Sequence, residues 1–204
     1  SFYNVVNKDQ KINNLFPKGL NILFAGNIGI AQSFDTIIEA VKIAQNKVED
    51  FNVIILGEGR DKIRITKKIK DYNLKNFYFM GSFPPEDMSK FFASADVLLV
   101  SLKKSKIFSS TIPGKLQSYL ACGRPIIASL DGIGAKVVKD SSSGFISDAG
   151  DPHGLANSII SFSRLNEIDR KNLGENGRKY YEKEFEREKL LSKLIDIFKK
   201  CKKC

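Results

Sequence analysis

Six short apolar runs punctuate this chain: LNILFAG at 20–26, FNVIILG at 51–57, NFYFMG at 76–81, DVLLVS at 96–101, PIIAS at 125–129 and GFIS at 144–147. None alternates apolar with polar residues, so none reads as a strand with one face in water. Helical spacing fills the intervals. After Ser33, for example, Phe34, Ile37, Ile38, Val41 and Ala44 mark one face of a helix. Strands buried on both faces and separated by helices require a parallel sheet covered on each side. Right-handed crossovers then give an α/β, Rossmann-like doubly wound domain of about six strands.

The 204 residues, 42% of them hydrophobic, suffice to bury one core. No apolar run reaches the ~18 residues of a membrane span. The opening SFYNVVNKDQKINN is too polar for a signal peptide. Residues 1–17 show no period and are expected to be a linker or N-terminal extension. The serine start reads as a chain excised from something longer. The domain proper is expected over 18–185, and 186–204 as a basic amphipathic helix. That helix sets Leu190, Leu191, Leu194, Ile195, Ile197 and Phe198 among Lys189, Lys193, Lys199 and Lys200. Its apolar face is expected to dock on a protein neighbour. Its lysines form a rim that also favours peripheral contact with the inner face of the cell membrane, in a cytoplasmic protein.

A formal net charge of +10 draws anions. The basic residues are not interleaved with aromatic ones, so no nucleic-acid partner is expected. Cys122 falls on the apolar side of a helix and reads as a small buried residue, while Cys201 and Cys204 form a C-x-x-C without further ligands. His153 is the only histidine, which leaves neither a Ser-His-Asp triad nor a zinc site. No metal or cofactor is expected.

Ligands of open parallel sheets bind beyond the carboxyl ends of the strands. The loops able to meet there are 26–32, 57–60, 81–85, 102–115 and 130–134, and each contains glycine or proline. GNIGIAQS at 26–33 joins the first strand to its helix, with Gly26 and Gly29 allowing close backbone approach. It is neither G-x-G-x-x-G nor a P-loop. GEGR at 57–60 is a second glycine turn, for which tight backbone packing is the simpler account. FSSTIPGKLQSYLACGRP at 108–125 places three hydroxyl residues and a Pro-Gly turn before one cation, Lys115, at a helix start. Leu116, Tyr119 and Leu120 then face a core, and Gly123 and Pro125 end the helix. Hydroxyls, free amides and a lysine are the parts of an anion site, although an ordinary loop capping an ordinary helix has the same composition.

Taken in order, FAGNIGIAQSFDTIIEA, VIILGEGR, NFYFMGSFPPEDMSKFFASADVLLV, PGKLQSYLACGRPIIAS and SSSGFI with DPHGLANSI resemble the C-terminal, donor-binding half of a family 4 retaining glycosyltransferase of the GT-B fold. The likeness covers about residues 19–185. It implies a UDP- or GDP-sugar donor and an acceptor held by a separate N-terminal domain that is missing here. The isolated half would then transfer nothing. By the same resemblance Gly26, Asn27, Gly29, Gln32, Gly114 and Lys115 would meet the diphosphate. Ser109, Ser110 and Thr111 would touch sugar or phosphate, and Ser118, Phe83 and Gly57 the ribose or base. Asn27 and Gln32 stand where the family usually has an Arg and a Lys, and Ser110 and Ser118 where it often has two glutamates. The GNIG loop and the P-G-K turn resemble the branch that transfers UDP-N-acetyl-fucosamine and similar sugars in bacterial surface polysaccharides (capsule or O-antigen). A degenerate, non-catalytic nucleotide- or glycan-binding module is the alternative. A nucleotide-sugar epimerase would need a fingerprint and a Tyr-x-x-x-Lys pair that YYEKEF at 180–185 does not supply.

Overall fold

The computed structural model describes residues 3–201, the Lys200 side chain excepted, so Cys204 of the C-x-x-C pair lies outside the described residues. A short helix α1 (Gln10–Asn13) is followed by β1 (Leu20–Ala25), α2 (Phe34–Ala44), β2 (Phe51–Leu56), α3 (Lys62–Asp71), β3 (Phe77–Gly81) and α4 (Met88–Ser94). Then come β4 (Val97–Ser101), α5 (Lys106–Ser109), α6 (Gly114–Ala121), β5 (Ile126–Ser129), α7 (Gly132–Asp140) and β6 (Gly144–Ser147). Three helices close the chain: α8 (Pro152–Ser163), α9 (Glu167–Glu184) and α10 (Arg187–Cys201).

All six apolar runs are strands of one parallel sheet, in the order β3-β2-β1-β4-β5-β6. The direction of winding reverses between β1 and β4, which is where an open sheet of this kind leaves a crevice. The lack of alternation in the sequence has a direct cause. Ile22 and Phe24 of β1 face one buried layer with Phe34, Ile37 and Ile159, while Leu23 and Ala25 face the other with Phe91, Tyr119 and Leu120. Most strand residues therefore need an apolar side chain whichever way they point, and the buried Asn21 and Asn52 of β1 and β2 are accommodated by bonding to each other at 3.3 Å.

The segment expected to be a linker lies against the second layer. The Tyr3 ring stacks on Phe92 with centroids 6.0 Å apart, and Phe16 lies 6.4 Å from Phe91. The other terminus behaves differently. From Arg187 to Lys199 every residue of α10 is exposed, and its six large apolar side chains range from 41% exposed at Leu191 to 59% at Phe198.

Candidate functional site

The carboxyl ends of β1, β2 and β3 and the start of α6 enclose a crevice of about 520 Å³. Two glycine loops build one wall backbone to backbone. Gly26 N donates to Leu56 O at 2.8 Å, Ile28 N to Glu58 O at 2.9 Å, and Gly57 N to Gly81 O at 2.7 Å. A Cβ on Gly57 would collide with the Gly26 carbonyl oxygen, and one on Gly59 with that of Ile28. Gly57 also has φ of 141°, open only to glycine among ordinary residues. GEGR thus serves tight backbone packing, and Gly57 at the same time lines the crevice.

Opposite stands α6. Tyr119 is fully buried, and its hydroxyl accepts from Ala25 N at 3.0 Å. This bond ties the helix to the last residue of β1, so Lys115, one turn earlier, comes to rest beside Gly26. The Lys115 amine is buried, lies 3.8 Å over the centre of the Phe24 ring and has no hydrogen-bond partner. A Cβ on Gly26 would stand 3.1 Å from its Nζ, so only glycine there leaves the space open. Burial pulls the Lys115 pKa down to about 7. The π face beneath the amine offsets only part of the lost hydration. A buried cation without a counter-ion, at the mouth of a crevice, is a place prepared for an anion.

The expected site residues divide into three groups. Gly26, Asn27, Gly57, Phe83, Gly114, Lys115 and Ser118 all line this crevice. Gly29 and Gln32 are not among its lining residues. The Gln32 side-chain oxygen is buried without a donor, 3.2 Å from where a Gly29 Cβ would be. Ser109, Ser110 and Thr111 are not brought there. Residues 106–109 form the short helix α5, and the three hydroxyls donate back to its own carbonyls, to Lys106 O at 2.9 and 3.0 Å and to Phe108 O at 3.2 Å. From the sequence alone this stretch is expected to be a hydroxyl-rich loop. Local back-bonding by Ser and Thr captured it instead.

Other lining residues escaped the sequence reading: Tyr3, Glu58, Met88, Phe92 and Tyr119. Tyr119 carried a signal, because a tyrosine at a core position of a helix needs a partner for its hydroxyl. Tyr3 carried none, since it is brought in by a segment without periodicity. Glu58 bonds to Lys62 at 2.7 Å and is the only carboxylate on the crevice wall among the described residues.

The profile of the family described as glycosyl transferases group 1 matches residues 5–180. The chain belongs to the group 1 glycosyltransferases. "Uncharacterized glycosyltransferase MJ1069" of Methanocaldococcus jannaschii is 26% identical to it over 196 residues, a span of 96% of this chain and 49% of that protein. Among solved structures, a point mutant of S. aureus TarM in complex with fondaparinux, alpha-GlcNAc-glycerol and UDP superposes with a TM-score of 0.78 at 18% identity, covering 96% of this chain and 38% of that chain. The C-terminal domain of the group 1 protein LpcC from Francisella tularensis gives 0.74 at 18% identity, covering 91% of this chain and 96% of that domain. This glycosyltransferase domain therefore has the fold of the C-terminal half of GT-B enzymes, and it spans about half the length of the curated relatives it matches.

Proposed function

We propose that this crevice binds the diphosphate of a nucleotide-sugar donor, with UDP as the favoured nucleotide. The carrying observation is the buried, unpartnered Lys115 amine beside Gly26. Retaining transfer requires the leaving diphosphate to be stabilised as the sugar–oxygen bond breaks. Lys115, with the Asn27 amide of the first glycine loop and the amides of the α6 start at Gly114, supplies fixed donors for that charge, and no metal enters the scheme. One such donor is worth about 3 kcal/mol of barrier. Ser118, a turn after Lys115, reaches toward the ribose, and Phe83 with its neighbour Ser82 toward the base. The hydroxyls of 109–111 drop out, being held by α5.

In this reading the donor sugar follows the acetamido-fucose branch suggested by the GNIG loop, and the acceptor is a glycan or lipid-linked saccharide of surface polysaccharide assembly. A separate N-terminal domain holds that acceptor at the inner face of the cell membrane, and α10 docks on this second domain. UDP in the TarM structure of the same fold supports the choice of nucleotide. The alternative, a binding module without turnover, is favoured by Ser110 and Ser118 standing where the resemblance implies two glutamates, and by Glu58 being engaged with Lys62.

Calorimetry with UDP, UMP and uridine separates the parts of the site. Lys115→Ala should weaken UDP at least about tenfold, as for loss of a charge-assisted contact, and leave uridine unchanged. Equal weakening of all three would remove the diphosphate assignment. If a donor UDP-sugar binds but the protein joined to its acceptor domain releases no UDP, the non-catalytic reading stands.

A further inference from the structure

A second cavity, of about 620 Å³, lies away from the nucleotide crevice, at the amino end of β5 against α9. Three helices end there, and each end is met by an arginine. Arg124 donates to Ala95 O, just past α4. Arg170 donates to Ser163 O, the last residue of α8, at 3.1 Å. Arg178 donates to Ala121 O, the last residue of α6, at 2.5 Å. Guanidiniums at helix carboxyl ends complement the dipoles, which explains their presence but not their full donor count. Arg178 spends its Nε on Glu182 at 2.6 Å. The Nε atoms of Arg124 and Arg170, by contrast, are buried with no acceptor at all. No carboxylate among the described residues lies within ion-pair distance of either.

The cavity wall carries these three arginines and three lysines against Asp96, Glu167 and Glu175. Asp96 is already engaged by Asn21 N at 2.7 Å, and Glu175 sits 3.7 Å from Lys171. The cations are in excess, and two of them bury polar hydrogens that the chain itself leaves unsatisfied. Buried donors of this kind cost stability unless an acceptor arrives. Planar guanidinium forks match the paired oxygens of a phosphate group, and the apolar walls at Val5 and Pro125 accommodate an organic body next to it.

We propose that this cavity is a second anion site, which takes the phosphate group of an organic phosphate between Arg124 and Arg170. Such a group reaches it either on a free phosphorylated metabolite or on an anionic lipid headgroup.

The test uses the chain saturated with UDP, so that the crevice is occupied, and follows its amide resonances as inorganic pyrophosphate or glycerol 3-phosphate is added. Shifts at Gly123, Arg124 and the first turns of α9, without shifts at 26–32, are expected. Arg170→Gln should weaken that response roughly tenfold, the loss of a hydrogen bond to a charged group. Vesicles of phosphatidylcholine with and without phosphatidic acid form the second arm. Binding to acidic vesicles that falls with Arg170→Gln identifies the headgroup as the source, whereas a soluble-ligand response without it identifies a metabolite. If pyrophosphate moves no resonance of the cavity and acidic-vesicle binding is unchanged by Arg170→Gln, the proposal is overturned. The mapping on the unsubstituted chain does not depend on any variant folding.

Discussion

Lys115 is a titrating group whose folded pKa, about 7, lies below its ordinary 10.5. The sign of its effect follows. Below about pH 7 both folded and unfolded chains are protonated here, and the burial penalty is present in full. Between about 7 and 10.5 the unfolded chain binds the extra proton, so stability of the ligand-free protein rises with pH. The slope is at most about 1.4 kcal/mol per pH unit. Denaturant midpoints measured across this window should climb, and Lys115→Met should flatten the climb. A diphosphate restores the charge, so UDP binding above neutrality should take up a proton, seen by calorimetry in buffers of different ionisation heat. Gly57 marks a second residue-scale limit. Gly57→Ala places a methyl on the Gly26 carbonyl at a left-handed φ, with an expected loss of about 3 kcal/mol or more and of UDP binding with it. A thermal melt and a UDP titration on the same sample check both. That Lys115 is the cation of the crevice was legible, because it is the sole charge in its turn. That it is buried was not, because the ring beneath it comes from β1, far away in the chain.

At the scale of elements, the strands were legible because nearly every side chain of a doubly covered strand is apolar, whichever face it points to. Loops were less so. The hydroxyls of 109–111 could serve a ligand or their own helix with equal local chemistry, and the turn at α5 decided it. Helix α6 shows how one element joins fold and site. Its inner face packs Leu116 and Leu120, its tyrosine holds the end of β1, and its first turn presents Lys115. Tyr119→Phe keeps the packing but leaves the Ala25 N–H without its hydroxyl acceptor. The expected cost is about 1–3 kcal/mol, with a rise in the Kd for UDP as α6 loosens from the first glycine loop. If stability falls while UDP affinity is untouched, the tie between α6 and β1 does not position the lysine.

Over the whole molecule, the crevice straddles the switch point, with the loops after β1, β2 and β3 on one side and the start of α6, which follows β4, on the other, and the core is complete without α10. Removing residues 187–204 should therefore change the stability of the domain by less than about 0.5 kcal/mol, the range of surface changes. Equilibrium denaturation checks this, and a loss of several times that size would mean that α10 packs on the sheet domain in solution. If α10 docks on an acceptor domain as proposed, the same truncation should separate this domain from that one in sedimentation, while acidic-liposome binding that disappears with the domains still associated would place α10 on the bilayer instead.

The bareness of α10 carries a consequence for its own order. The fifteen residues, exposed throughout from Arg187 to Lys199, rest on intrahelical hydrogen bonds and on one bond from Lys189 Nζ to Glu182 O of α9 at 2.7 Å, and that length is marginal for a helix standing free in water. Its coil-to-helix equilibrium is consequently tied to whatever covers Leu190, Leu194 and Phe198. Ordering the segment subtracts from the affinity of that contact, so the contact is made reversible by the entropy of the tail. The docking proposed for α10 therefore predicts that the helicity of residues 187–201, read by circular dichroism, rises when that neighbour is added, with the sheet unchanged.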